Sequence, residues 1–274
     1  MRVACSAKTD IGLIRPINED SFFADEKLGL FMVLDGIGGH NAGEIASKLG
    51  VDSLREAINN GVTMAREQLS DADCLELSKE ANILKDGIRA ANRVIYDAAH
   101  SREDYRGMGT TVASLLIGTK SLAIAHVGDS RIYLIRGGTI ERLTEDHSLV
   151  MEQLKRGLIS DQEAQSSDMK NIITRALGAD MEVQPALDEI VILNNDIFVL
   201  CTDGLTDLVS DEEILTLVSD NRDTLDSACE ALINKAIERG GKDNITTIVI
   251  QFQGDSHNFL RWCRTKFANI MRSL

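Results

Sequence analysis

The sequence predicts an α+β fold in which antiparallel β-sheets pack together under a cover of helices. Short apolar runs rich in β-branched residues recur along the chain, and several are joined by short turns that favour antiparallel pairing. The helical patterns are gathered in blocks between groups of strands instead of alternating with them. Since no internal repeat or linker interrupts the chain, these features indicate one domain, which we place at residues 1–254.

Seven apolar runs have the composition of β-strands and are bounded by glycine or small polar residues. In chain order they are residues 30–34, 110–117, 121–127, 131–135, 189–193, 197–201 and 245–252. Three-residue turns at 118–120 and 128–130 join three of these runs, which we therefore expect to be neighbouring antiparallel strands.

The first two predicted helices lie between the early strands. Residues 43–59 have a helical pattern of limited regularity, whereas residues 74–99 place apolar side chains at steps of three and four. That spacing gives the second helix one apolar face. Its members are Leu77, Ala81, Leu84, Ile88, Ala91 and Ile95.

Two further helices are predicted before the last strand. The helix at 211–219 begins with Ser210 and Glu213 in the spacing of a capping box, which satisfies free amide groups at a helix start. The next helix runs from Leu225 up to Gly240, because glycine commonly ends a helix.

The segment 147–185 differs from the rest of the chain. It is polar and rich in Gln, Ser, Asp and Lys, with one short helical pattern at 149–154. Long surface segments of this kind often carry function. We therefore predict an insertion that lies near the functional site and acts as a mobile flap.

Composition limits the partners and the compartment. With 43 acidic and 29 basic residues the formal charge is −14, which opposes nucleic-acid binding. The five cysteines show no CxxC spacing, so we expect reduced thiols. No secretory signal is recognisable at the N-terminus, and no apolar run approaches the ~20 residues of a membrane span. These features predict a cytoplasmic protein.

Acidic residues stand beside four of the predicted strands. They are Asp35, Asp129, Asp203 and Asp243. If the strands belong to packed sheets, their ends bring these distant carboxylates together, and such a cluster needs cations. Hard divalent ions such as Mg²⁺ or Mn²⁺ take oxygen ligands, and two of them about 3.5–4 Å apart make a site for attacking phosphate esters.

The turn after Asp35 is dense in glycine and leads into a helix. An Asp-Gly pair alone is explained by turn chemistry, and a glycine-rich turn before a helix is also compatible with phosphate binding. This turn lacks the Lys-Ser/Thr pair of a P-loop. Coordination of an oxygen-seeking ion by the Asp35 carboxylate and the Gly36 carbonyl fits the turn better.

The chain resembles the PP2C-type (PPM) metal-dependent serine/threonine protein phosphatases of the bacterial stand-alone kind. Eight blocks match the family in its order and at similar spacing, over nearly the whole chain. They are residues 15–20, 35–44, 107–111, 128–131, 143–148, 173–178, 201–205 and 241–244. The resemblance implies a central sandwich of two packed antiparallel sheets flanked by pairs of helices (α-β-β-α).

The resemblance also implies a metal site with two Mn²⁺ or Mg²⁺ ions. In it, Asp35 bridges both ions, Gly36 lends its carbonyl to one of them, and Asp203 and Asp243 hold the other. Asp20 orients water at the ions. Asp129, together with Asp203, matches the ligands of a weaker third ion.

Two further residues of these blocks have candidate catalytic roles. A planar guanidinium grips two phosphoryl oxygens at once, so Arg15 is predicted to bind the phosphate. His40, with an ordinary pKa near ~6.5, is suited to protonate the departing seryl or threonyl oxygen, although a water molecule is an alternative donor. His126 and His147 are expected to support the strands and the flap.

The predicted activity is hydrolysis of phosphoserine and phosphothreonine in proteins by a metal-activated water, which opposes a Ser/Thr kinase. Two alternatives stay open from the sequence: a non-catalytic binding module with the same fold, and a metal phosphoesterase for small molecules. The expected partners are phosphoproteins, including a kinase or its targets, with no nucleic acid. We expect a monomer.

The C-terminal tail, residues 255–274, has a character of its own. It is basic, with apolar residues able to share one side of a helix. Such a helix is compatible with contact to an anionic membrane or a partner protein. The alternatives are a helix packed on its own domain or a frayed end.

Overall fold

The computed structural model describes residues 2–38, 42–67, 77–118, 121–160, 163–164, 167, 169 and 172–254. The predictions for His40 and for the tail at 255–274 therefore fall outside the described residues, as do parts of the predicted flap. None of the described helices is long and apolar enough to cross a membrane.

The described strands and helices follow the predicted order. The strands are β1 (Arg2–Asp10), β2 (Ser21–Asp25), β3 (Leu30–Leu34), β4 (Gly36–Ile37), β5 (Gly109–Thr110), β6 (Val112–Ile117), β7 (Leu122–Val127), β8 (Arg131–Arg136), β9 (Thr139–Arg142), β10 (Ala186–Ile190), β11 (Ile197–Cys201) and β12 (Ile245–Gln253). The helices are α1 (Ala42–Glu67), α2 (Lys79–Ser101), α3 (Leu149–Lys155), α4 (Asp203–Thr206), α5 (Asp211–Asp220) and α6 (Leu225–Glu238), with a 3-10 turn at Glu103–Tyr105.

Two five-stranded sheets form the centre of the molecule. One has the order β1-β12-β11-β8-β9 and the other β10-β7-β6-β3-β2, and every pair of neighbours is antiparallel. The short strands β4 and β5 pair separately beside the second sheet. The predicted α+β fold with two packed antiparallel sheets is confirmed.

The central strands are buried on both faces. Phe31 and Val33 of β3 point between the sheets, where Phe198 and Phe252 meet edge to face with ring centroids 5.6 Å apart. The alternate residues of β3 pack against α1 and α2, and the outer face of the other sheet is covered by α4, α5 and α6. Because side chains alternate along a strand, burial on both faces produces the continuous apolar runs seen in the sequence. The layers are helix, sheet, sheet, helix.

The helix predictions are confirmed with corrected bounds. α2 begins at Lys79, where the Ser78 hydroxyl accepts from the amide of Ala81. Its predicted apolar face is buried except for Leu77, which precedes the helix and is half-buried. α1 continues past residue 59 to Glu67, through Gly61, which lies close to Ile83 of α2. The predicted capping box at the start of α5 is present.

The strand predictions need three corrections. The run predicted at 110–117 forms two strands, β5 and β6, which are interrupted at Thr111 and belong to different sheets. β1, β2 and β9 were not predicted, because they are only partly buried and mix polar with apolar residues. The strand predicted at 189–193 lies instead at Ala186–Ile190, paired with β7. The apolar residues beyond it leave the sheet, with Val191 58% exposed and Leu193 39% exposed.

Candidate active site

Four acidic side chains meet at one edge of the sandwich. Asp35 follows β3 and Asp129 follows β7 of one sheet, while Asp203 follows β11 and Asp243 precedes β12 of the other. All four line a single cavity of about 270 Å³. Its other lining residues are Arg15, Glu19, Gly36, Ile37, Gly38, Thr111, Ile173 and Asn244. The structure thus brings together six of the predicted site residues: the four carboxylates, Arg15 and Gly36.

The main chain of Asp35 is held from both sides by two threonines. Its amide donates to Thr111 Oγ1 at 2.9 Å, and its carbonyl accepts from Thr110 Oγ1 and from the Thr111 amide, each at 2.8 Å. Both threonines are buried. Hydrogen bonds of this kind fix the backbone that carries the carboxylate, which explains why residues 107–111 accompany the acidic turns.

Glycine is required where the loops of the site approach one another. A Cβ at Gly36 would lie 2.2 Å from the carbonyl oxygen of Gly43, and a Cβ at Gly204 would lie 1.9 Å from that of Asn244. Both distances are far below van der Waals contact. The glycines beside Asp35 and Asp203 therefore let the acidic turns pack against their neighbours.

Asn244 organises the loop that carries Arg15. Its Oδ1 accepts from the Glu19 amide at 2.8 Å, and its Nδ2 donates to the carbonyls of Ile11 and Ile17 at 2.9 and 3.0 Å. Glu19 in turn accepts from the first amides of α1. The sequence prediction assigned no role to Asn244 or Glu19, although both stand beside predicted site residues.

Arg15 reaches across the cavity mouth to one of the acidic residues. Its Nη2 lies 2.6 Å from Asp243 Oδ2. The Arg15 side chain is 46% exposed, so the guanidinium remains accessible from solvent. This position, beside four carboxylates, suits a cation that receives an anionic group entering the cavity.

Burial and mutual repulsion dominate the electrostatics of the carboxylates. Burial raises the pKa of Asp35 well above its usual range, and the charge of Asp203 raises it further. Burial likewise raises the pKa of Asp203 and of Asp129. The cluster cannot hold its full negative charge without a compensating cation.

Asp20 lies behind the cavity rather than in its wall. It contributes to a neighbouring cavity of about 280 Å³, with Thr9 and Lys48. Burial raises the pKa of Asp20, whereas hydrogen bonds from Thr246 and Thr202 lower it. The charges of Asp203 and Asp243 also act on it, which places Asp20 close to the acidic cluster.

The oxygen atoms of the cavity fit a hard divalent cation. Asp203 Oδ1 is buried and has no hydrogen-bond partner among the described residues. Carboxylate and carbonyl oxygens are the ligands that Mg²⁺ and Mn²⁺ prefer. Within the described part of the chain, no three acidic, histidine or cysteine side chains already surround one point at ligand distance. The donors therefore line the cavity without being closed around a single position.

The two described histidines near the site have structural contacts. His126 Nε2 donates to the Glu145 carbonyl at 2.8 Å, and His147 Nδ1 accepts from the Gly128 amide at 3.1 Å. Their rings stack with centroids 4.8 Å apart. They tie the start of the predicted flap to the end of β7, as expected.

Comparison with known proteins identifies the family. The model of the family described as protein phosphatase 2C matches residues 5–245. The chain belongs to this family. As the sequence predicts, it is a metal-dependent serine/threonine protein phosphatase, and neither a binding module without activity nor a general phosphoesterase is supported.

Relatives and solved structures match over almost the full length. The serine/threonine phosphatase stp of Listeria innocua is 36% identical over 247 residues, which cover 89% of this chain and 94% of the relative. The Mycobacterium tuberculosis serine/threonine phosphatase PstP/Ppp has a TM-score of 0.81 at 33% identity, covering 93% of this chain and 100% of that one. The catalytic domain of PstP in complex with two manganese ions has a TM-score of 0.77 at 33% identity, covering 92% and 99%.

Proposed function

We propose that the cavity lined by Asp35, Asp129, Asp203 and Asp243 hydrolyses phosphoserine and phosphothreonine in proteins, with two Mn²⁺ or Mg²⁺ ions held there. The observation that carries this proposal is the convergence of the four carboxylates and Arg15 on one cavity. The manganese complex of a structural relative supports the choice of ion.

The proposed ligand roles are those that the family resemblance implies for these residues. Asp35 would serve both ions, and the Gly36 carbonyl would serve one of them. Asp203, with its unpartnered Oδ1, and Asp243 hold the other ion. Asp129 and Asp203, whose charges act on each other, form the ligand set for a third ion.

The remaining roles belong to residues around the ions. When bound, the ions supply a water nucleophile at neutral pH by lowering its pKa towards ~7 and neutralise charge on the phosphate. Arg15 binds the phosphoryl oxygens from the cavity mouth, because its guanidinium is exposed and rigid in shape. Asp20 orients water from behind the cluster. The role of His40 as the proton donor stays a prediction, since His40 lies outside the described residues.

The proposal extends to the partners, the oligomeric state and the compartment of the enzyme. The partners are phosphoproteins, including a Ser/Thr kinase or its targets, and the enzyme acts as a monomer in the cytoplasm. The domain ends near residue 254, and contact of the basic tail with a membrane or partner stays a prediction.

The flap at about 147–185 shapes access for protein substrates. Its ends are anchored, since the amide of His147 donates to Gly128 and that of Thr174 donates to His147.

A substrate panel tests the proposed function. We would assay a phosphothreonine peptide against nucleotides and sugar phosphates, with Mn²⁺ and with EDTA. We expect Mn²⁺-dependent release of phosphate from the peptide and little from the small molecules. Faster hydrolysis of a nucleotide or sugar phosphate would support a small-molecule phosphoesterase, and absence of any hydrolysis would support a binding module.

A further inference from the structure

Three threonines from separate parts of the chain connect to the carboxylate of Asp20. Thr202 Oγ1 donates to Asp20 Oδ2 at 2.8 Å, and Thr246 Oγ1 donates to the same oxygen at 2.6 Å. Thr9 Oγ1 lies 2.7 Å from Thr246 Oγ1. Thr202 follows β11, Thr246 lies on β12, and Thr9 is its partner on β1. We call Thr9, Thr202 and Thr246 the threonine network.

The hydrogen bonds of the threonine network have one consistent direction. A hydroxyl group has a single proton, and an ionised carboxylate only accepts. Because Thr246 donates to Asp20, Thr9 must donate to Thr246, and Asn18 Nδ2 donates to Thr9 Oγ1 at 2.8 Å. The amide of Thr246 donates to Thr202 Oγ1 at 3.0 Å, which leaves the Thr202 proton for Asp20. All of these donors therefore lead to Asp20 Oδ2.

Burial makes this arrangement specific. Thr202 and Thr246 are fully buried, and Asp20 is 8% exposed. In a buried setting, a missing donor to a carboxylate is not replaced freely by water. Two donors on one oxygen also limit rotation of the carboxylate. The network is therefore suited to keep Asp20 in one orientation next to the acidic cavity.

We propose that Thr202 and Thr246, with Thr9 behind them, are positioning residues that hold the Asp20 carboxylate for its role at the divalent ions. This inference rests on the proposed function, since it assumes that Asp20 acts there. The threonines do not line the cavity of the four aspartates. They act through Asp20, as outer partners of metal-site groups commonly do.

The chain provides a matched control in Thr247. It is the next residue of β12 and is also fully buried, but neighbouring residues of a strand face opposite sides of a sheet. Thr247 Oγ1 has no hydrogen-bond partner among the described residues. Replacing it by valine makes the same chemical change as at Thr246, at the same depth, without touching Asp20.

The test compares Thr246→Val, Thr246→Ser, Thr202→Val and Thr247→Val with the wild type. Mn²⁺ binding is measured by isothermal titration calorimetry, together with the Mn²⁺ concentration that gives half-maximal turnover of a phosphothreonine peptide. We expect Thr246→Val to weaken Mn²⁺ binding about 10- to 100-fold. Thr246→Ser keeps the hydroxyl and should bind within a few-fold of the wild type, as should Thr247→Val.

Two results would overturn the proposal. One is wild-type Mn²⁺ affinity in both Thr246→Val and Thr202→Val. The other is wild-type Mn²⁺ affinity in Thr246→Val together with weakened binding in Thr246→Ser, which would show that the methyl packing matters and the hydroxyl does not. Circular dichroism establishes folding, and Thr202→Val serves if Thr246→Val does not fold. Failure of the proposed function is distinct, because the wild type itself would then neither bind Mn²⁺ nor turn over the peptide.

Discussion

Arg15 and Asp243 form an ion pair across the mouth of the acidic cavity, with 2.6 Å between Arg15 Nη2 and Asp243 Oδ2. The two residues stand 228 positions apart. The loop of Arg15 is fixed to the turn of Asp243 by Asn244, so the cation has a defined place at the entrance. The proposed phosphate-binding and metal-binding residues thus lie on two loops that hold each other.

Replacing Arg15 tests its role in binding phosphate. We expect Arg15→Ala to lower kcat/KM for a phosphothreonine peptide roughly 30- to 150-fold, because charged hydrogen bonds to the phosphoryl oxygens are lost. This factor corresponds to about 2–3 kcal/mol of transition-state stabilisation. Arg15→Lys should recover part of this, since the charge remains without the planar fork. Arg93→Lys, on the exposed side of α2, is the control. Unchanged kinetics in Arg15→Ala would remove Arg15 from the mechanism.

Replacing Gly204 by alanine tests whether the close approach of the acidic turns is needed. Gly204→Ala places a methyl group against the Asn244 carbonyl, and we expect it to cost about 1–3 kcal/mol of unfolding free energy and to lower activity. Gly61→Ala is the comparison, because its Cβ would meet side-chain carbons of Ile83, the nearest at 3.0 Å, and no backbone atom, and alanine favours the helix. Urea unfolding measures both. Equal stability of the two variants would contradict the account.

His147 gives the folded state a dependence on pH. Burial and then the charge of His126 lower its pKa from 6.5 to about 4. Between pH 6.5 and about 4, His147 binds a proton in the unfolded chain but stays neutral in the folded chain. The free energy of unfolding therefore has its full value above pH 6.5 and decreases as the pH falls towards about 4.

The comparison variant for this effect is His147→Gln. Aspartates whose pKa is raised by folding change the free energy of unfolding in the opposite direction as the pH falls. Their effect is the same in the wild type and in His147→Gln. We therefore expect the wild type to lose more unfolding free energy than the variant between about pH 7 and about pH 4.5, measured by urea titration. A variant that loses as much would show that His147 does not contribute.

Deleting residues 160–170 tests the flap. The chain is anchored on both sides of the deleted residues, at His147 before them and at Leu177, which pairs with Thr110, after them. We expect the deletion to change turnover of a phosphoprotein while hydrolysis of a small aryl phosphate continues, because the metal ligands lie elsewhere. Equal loss of both activities would reject a role in substrate access.

Burial explains which strands the sequence reveals. β3, β7 and β11 are buried on both faces, so their residues form continuous apolar runs that are easily recognised. β1 and β2 are only partly buried and give no such run. The error at β10 has the opposite cause, because its apolar run continues past the point where the chain leaves the sheet.

The same contrast applies to the site. The carboxylates are predictable because each stands next to a recognisable strand and has a residue type with one obvious chemistry. The threonine network and Asn244 are not, because their hydrogen bonds depend on strand register and on loops far apart in sequence. Thr9 faces Thr246 only because β12 pairs with β1 in one particular register.

Turnover of a phosphothreonine peptide by Asp203→Asn, as a function of Mn²⁺ concentration, tests the central claim most directly. The substitution removes one negative oxygen from the cavity while nearly keeping the shape of the side chain. The exposed Asp223, changed to Asn, is the control. We expect activity to fall at least ~100-fold in Asp203→Asn and to disappear with EDTA in every protein. Wild-type turnover by Asp203→Asn, or turnover that survives complete chelation, would contradict the central claim.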